Sequence, residues 1–278
     1  RPRRAQGRLP VIIVVPGGHR TKDFAVFGHE EWPLPFEIES PHHRFPTKRI
    51  GNPEPLPFTL LLKHGFAIMS TDARTFGARA GWRPERENDL AGEFTKASWA
   101  EMQILMHRAI VDGRSVAGME TWDIIRGIDY LETLDDIDTG KIGCTGWSMG
   151  GNLAWMTAIT EPRIKAVCTV SCMVTYDAAL KYGRDKAPYG WIPGIRKHTS
   201  RQELLSMLAP RPLLVFEGDD DMPVEGRQPM VEEARSKYEL LGAADGFRLE
   251  MYHGGHAACL REQTTYDQIG RWFQNWLR

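Results

Sequence analysis

Apolar residues in this chain fall as short unbroken runs, separated by longer stretches where they recur every third or fourth position. The first run, 9–15 (LPVIIVV), has no polar interruption, as a strand buried on both faces requires. Further strands are read at 66–71, 142–145, 164–170, 212–216 and 247–252. Between them, 98–111 places Met102, Leu105, Met106 and Ile110 at helical spacing, and 119–134 repeats it through Trp122, Ile125, Ile128, Leu131 and Leu134. Segments 56–64 (stopped by Gly65), 152–159 and 227–241 also read as helices. A closing amphipathic helix, 266–277, has Ile269, Phe273 and Trp276 on one side, and 135–140 forms a turn before the strand at 142. This alternation predicts the α/β class, with a mostly parallel central sheet and helices on both faces.

Two stretches break the rhythm. Segment 20–58 is rich in Pro, His and aromatics, and Trp32, Phe36, His42, His43 and Phe45 could wall a pocket there. Segment 171–208 holds Tyr176, Tyr182, Tyr189, Trp191, Pro193 and Gly194, and reads as a small lid-like insertion or as aromatics packed on the main body. Segment 81–94 is charged and loop-like. The expectation is one domain over 1–278, with the two insertions shaping its pocket.

Composition adds little to this picture. Hydrophobic residues at 42% and charged residues at 26% are ordinary for a globular protein, and the net charge of -1 gives no reason to expect nucleic acid or an anionic membrane as partner. No apolar run reaches the ~20 residues of a membrane span. The basic start, 1–8, lacks the apolar core of a secretory leader, but the chain opens on Arg, so this says little about location. Four cysteines (Cys144, Cys168, Cys172, Cys259) lack zinc spacing and favour a reducing, cytoplasmic setting, with secretion left open.

The chemistry centres on KIGCTGWSMGGNL, 141–153, in which Gly146, Ser148 and Gly150 spell G-x-S-x-G between a strand and a helix. Bent that tightly, the turn pushes the serine hydroxyl outward, and side chains at Gly146 or Gly150 would collide with crossing backbone. Pro16-Gly17-Gly18-His19 ends the first strand, leaving backbone N–H groups approachable. An activated serine needs a base and an acid to orient it. Downstream lie an acidic loop, with Asp219, Asp220 and Asp221, and then a loop with His253 and His256. Ser, then acid, then His is the chain order of α/β-hydrolases. The residues alone leave the acid and the base open. Arg74, in the turn 72–77, reads as a structural ion-pair former.

The pattern Gly-x-x-Asp followed by Pro-Val (218–224) resembles the acid loop of the dienelactone hydrolase and acetyl xylan esterase branch of the α/β-hydrolases, which selects Asp221. Gly-Gly-His (254–256) resembles that branch's histidine loop and selects His256. The resemblance continues through Gly113-Arg114-Ser115, Gly118, Trp122-Asp123, Asp138, Ile142-Gly143 and Leu208-Ala209-Pro210-Arg211-Pro212. It covers most of the chain, but 20–58 has no counterpart and Pro16-Gly17 stands where the family has His-Gly. The run GWSMGG also resembles the prolyl-oligopeptidase-like peptidases; the expectation is that no propeller domain precedes it, which disfavours a full member of that group.

The resemblance implies an α/β-hydrolase fold and a serine esterase acting on a small-molecule ester. Ser148 would be the nucleophile, His256 the base and Asp221 its orienting acid, with oxyanion donors at Met149 and Gly18. Trp147, His19, Tyr176 and Trp191 would line the substrate pocket. No metal or organic cofactor is implied, and homo-oligomerisation is left open. The rival expectations are a peptidase or amidase with the same triad, and a non-catalytic binding protein.

Overall fold

In the computed structural model, six parallel strands form one sheet in the order β2-β1-β3-β4-β5-β6. The structure describes residues 7–18, 58–79, 91–183, 188–256 and 258–277. The pocket expectations at His19, Trp32, Phe36, His42, His43 and Phe45 lie outside these residues. The strands are β1 (Leu9–Val15), β2 (Ala67–Met69), β3 (Ile137–Trp147), β4 (Ile164–Val170), β5 (Leu213–Gly218) and β6 (Phe247–Tyr252). The helices are α1 (Ala91–Val111), α2 (Val116–Leu131), α3 (Met149–Thr160), α4 (Tyr176–Tyr182), α5 (Arg201–Ser206), α6 (Val224–Leu240) and α7 (Gln263–Trp276).

Alternation along the strands explains their unbroken apolar runs. In β1, Val11, Ile13 and Val15 join one buried cluster while Ile12 and Val14 join the other. In β5, Leu213 and Val215 face the first, and Leu214 and Phe216 the second. Residues of α2, α3, α5 and α6 cover the first face; α7 and a 3₁₀ segment, Phe58–His64, cover the other. A strand covered on both sides has no polar face to show.

The structure moves several expected boundaries. Strand β3 begins at Ile137, inside the expected turn 135–140, because Leu9 pairs with Ile137 before a register shift carries Val11 to Ile142. Helix α1 reaches back to Ala91. Helix α2 starts at Val116, where the Ser115 hydroxyl accepts the Gly118 N–H at 3.0 Å, and its buried face runs through Glu120, Ile124, Ile128 and Leu131. Trp122 instead is 54% exposed and carries the Arg126 guanidinium over its ring at 4.2 Å. In α7 the buried partner of Ile269 and Phe273 is Trp272, while Trp276 stands outside it. Within 171–208, Tyr176 and Tyr189 are buried, and the 3₁₀ turn Pro188–Gly190 lies against α2 and α3, while Leu180, Tyr182 and Met207 are exposed. All four cysteines are free and buried.

The chain runs from β1 outward to β2, then returns to β3 on the other side of β1. Strand order therefore reverses between β1 and β3, and the crevice outside the carboxyl ends at such a switch is where open α/β sheets bind ligands. Residues 16–18 and 147–148 occupy those two strand ends.

Candidate active site

Ser148 sits between β3 and α3 at φ 58, ψ -116, a left-handed conformation that non-glycine residues rarely hold. Such strain costs about 1–3 kcal/mol and persists only where the surroundings enforce it. Here the Ser148 N–H donates to Val170 O at 2.8 Å, and the Asn152 N–H donates to Ser148 O at 3.0 Å. The flanking glycines are steric necessities. A Cβ on Gly146 would strike the Gly150 carbonyl, one on Gly150 would strike Val15 O, and one on Gly151 would lie 2.9 Å from Cys172 Sγ. Met149 opens α3, so its N–H has no carbonyl within the helix to bind. Across the switch point, a Cβ on Gly17 would come within 2.7 Å of Trp147 Cε3, so glycine lets the loop after β1 lie flat on that indole.

The structure divides the three aspartates and two histidines into separate roles. Asp221 is buried, and His256 Nδ1 stands 3.0 Å from both its carboxyl oxygens. An ionised carboxylate only accepts, so Nδ1 carries the ring proton and Nε2 of the neutral ring is left with its lone pair. Asp219 is exposed; its Oδ2 lies 3.0 Å from His253 Nδ1, and its Oδ1 accepts the Gly254 N–H at 2.8 Å. That N–H and the His253 contact hold the Asp219 carboxyl below its usual range, and the same contact raises His253. Asp220 is exposed; its N–H donates to Gly254 O at 3.4 Å, and its charge helps to raise His253.

Trp147, expected to line the substrate pocket, makes its contacts among the described residues with the histidine loop. Its indole N–H donates to His256 O at 2.7 Å, and its ring centroid lies 5.3 Å from that of His256. The residue before the serine thus braces the histidine loop against the elbow. Tyr176 is buried beside Trp191, rings 5.5 Å apart, with the Arg201 guanidinium 5.4 Å from its centroid. Arg201 in turn donates to Asn152 Oδ1 at 2.6 Å, so this group packs behind the first turn of α3; only Trp191 is partly exposed. Arg74 forms a bidentate pair with Asp123, at 2.7 and 2.8 Å.

Sequence reasoning passed over a polar cluster beneath the acid loop. Glu217 is fully buried, its Oε1 accepting N–H groups from Cys172 at 2.8 Å and Met173 at 2.9 Å. Burial pushes its carboxyl up to about 7. Ser171, at φ 55, is hydrogen-bonded through its hydroxyl to Tyr252. The available signal was one charged residue ending the otherwise apolar run LLVFEG. Among the described residues no group of three or more His, Cys, Asp or Glu is placed to hold a metal ion.

Comparison with known proteins places this arrangement in a family. The prolyl oligopeptidase family model matches residues 114–278, and the X-Pro dipeptidyl-peptidase (S15 family) model matches residues 1–191. YtaP of Bacillus subtilis (strain 168), a protein whose hydrolase name is itself provisional, is 29% identical over 219 residues, covering 77% of this chain and 66% of that protein. 4-O-methyl-glucuronoyl methylesterase 1 of Wolfiporia cocos (strain MD-104) is 26% identical over 193 residues, or 56% of this chain and 45% of that protein. The chain therefore spans two thirds or less of the length of these relatives. Among solved structures, a glucuronoyl esterase from Solibacter usitatus superposes with TM-score 0.64 at 16% identity, covering 98% of this chain and 74% of that one. A Bacteroides fragilis NCTC 9343 protein, provisionally titled an acetyl xylan esterase, superposes with TM-score 0.66 at 18% identity, covering 90% and 61%. At these identities the structural likeness bears on fold. Each of the two family models matches more than half of the sequence, and the chain belongs to the α/β-hydrolase superfamily through the prolyl oligopeptidase and X-Pro dipeptidyl-peptidase families.

Proposed function

We propose that this protein hydrolyses carboxylic esters through an acyl-enzyme on Ser148. The observation that carries this reading is the buried Asp221 holding His256 Nδ1 with both oxygens at 3.0 Å, in a loop that Trp147 anchors to the serine elbow. His256 Nε2 takes the Ser148 proton as Oγ attacks the ester carbonyl, and then gives it to the departing alcohol. The N–H groups of Met149 and Gly18 receive the oxyanion; one such donor is typically worth about 10²–10³ in turnover. Water then attacks the acyl group by the reverse proton path, and the acid is released.

The esterase names among relatives and structural neighbours support esters linked to carbohydrate, acetyl or uronate methyl, as the first substrates to try. A second reading, peptide or amide cleavage, is supported by the two peptidase family models. The same triad serves both, and a panel of acetylated sugars, uronate methyl esters and proline-containing peptides separates them by kcat/KM. Ser148→Ala should abolish p-nitrophenyl acetate hydrolysis and labelling by a fluorophosphonate probe. Full activity in that variant would overturn both readings.

A further inference from the structure

We propose that Glu217 is a positioning residue for the Asp221–His256 pair, fixing the acid loop from beneath and coupling its own charge to theirs. The proposal rests on the hydrolase reading above. Glu217 lies on the last turn of β5 into the loop, four positions before Asp221, and is 0% exposed. The two N–H groups bound to its Oε1 come from Cys172 and Met173, directly after Ser171. Ser171 itself donates its N–H to Phe216 O at 2.9 Å and shares a hydroxyl hydrogen bond with Tyr252. One carboxyl oxygen therefore ties the loop after β4 to the end of β5, and Ser171 extends the tie to β6. The other oxygen, Oε2, is buried and has no hydrogen-bond partner among the described residues. With Oε1 engaged by two donors, a proton bound by this carboxyl resides on Oε2.

The groups facing Glu217 decide what its charge does. Asp221 in the acid loop disfavours a second anion, and Arg227 of α6, which donates to Gly218 O at 2.7 Å, favours it. Tyr252 of β6 and Cys259 of the turn after the histidine loop also face it; burial pushes both upward, Cys259 to about 12, so they stay neutral. Burial, the leading cause, raises Glu217 to about 7, so its charge changes near neutrality. Ionised, it adds an anion beside Asp221, and a nearby anion favours the charged imidazolium.

Glu217→Gln tests this, because the amide oxygen still accepts both N–H groups while the charge is gone. The variant should fold, keep fluorophosphonate labelling of Ser148, and leave KM nearly unchanged. The acid limb of its kcat/KM profile should move to lower pH by about half a unit, an electrostatic shift of ordinary size for one partly screened charge. A labelled variant whose profile superimposes on the wild type overturns the proposal. If the variant does not fold, the wild-type protein decides: the His256 Nδ1 proton resonance followed against pH should show two inflections, and a single one overturns the coupling. An active Ser148→Ala protein would remove the hydrolase reading itself, a result distinguishable from either of these.

Discussion

Two aspartate–histidine pairs stand side by side at the carboxyl edge of this sheet, built from the same two loops. Asp219 and His253 meet at 3.0 Å, and so do Asp221 and His256. By distance they are equivalent. Burial separates them: the side chains of His253 and Asp219 are 97% and 51% exposed, those of His256 and Asp221 40% and 2%. In water a pair of charges at this separation is screened and free to part. Inside the protein the carboxylate has one hydrogen-bond partner among the described residues, His256, and it fixes the orientation of that ring. The second pair is also tethered to the elbow through Trp147, at 2.7 Å, whereas the hydrogen bonds of the first among the described residues go to backbone of its own loops. Proximity of an acid to a histidine is cheap; a fixed tautomer at the β1–β3 switch point is what the buried pair supplies.

The sharpest break of this contrast is Asp221→Asn. An amide in place of the carboxylate can donate to Nδ1, which turns the ring to the wrong tautomer and leaves Nε2 protonated. Turnover of p-nitrophenyl acetate should fall by about 10⁴, the scale seen when other triads are altered in this way. A fall of less than tenfold would mean the acid is elsewhere. Next in size is Trp147→Phe, which keeps the ring against His256 and Gly17 but removes the N–H that holds His256 O. Losing one such hydrogen bond is worth about 0.5–1.5 kcal/mol, so kcat should drop roughly 3–10-fold with KM little changed. If KM rises while kcat holds, Trp147 is a pocket wall as first expected, and the brace is incidental.

How far the sequence could be read follows the same line between buried and exposed. The strands 9–15, 164–170 and 247–252 appear with the expected bounds, because bounding turns and apolar content agree. The glycines of the elbow were legible for the same reason: their steric need is local, set by backbone four residues apart or in the adjacent strand. Long-range facts were not. Trp122 and Trp276 carry the right spacing but face outward, since which side of a helix is covered depends on neighbours distant in sequence. The start of β3 at Ile137 depends on pairing with Leu9 across 128 positions. Glu217 follows the expected strand 212–216 with no mark of its own, and only the approach of Cys172 and Met173 gives it a role. Selecting Asp221 over Asp219 needed a family resemblance, because three adjacent carboxylates carry no local mark of which one is buried.

The smallest effect belongs to the exposed pair, and there the sign can be worked out. Asp219→Asn keeps an Oδ1 to accept the Gly254 N–H, so it removes charge without orphaning that donor. Hydrolysis should stay within twofold of the wild type at every pH. The change should appear instead at His253, which Asp219 raises; without its partner its NMR titration midpoint should fall toward the ~6.5 of a free imidazole. Linkage gives the window. The lowered Asp219 contributes stability above its unfolded value, about 3.9, and loses it as pH falls. The raised His253 contributes below about 6.5 and loses it as pH rises through its folded value. The pair's contribution is full between about pH 4 and 6.5 and fades on either side, so any difference in Tm between variant and wild type should be largest in that interval and shrink with added salt. A variant that loses turnover as Asp221→Asn does would erase the distinction between the two pairs.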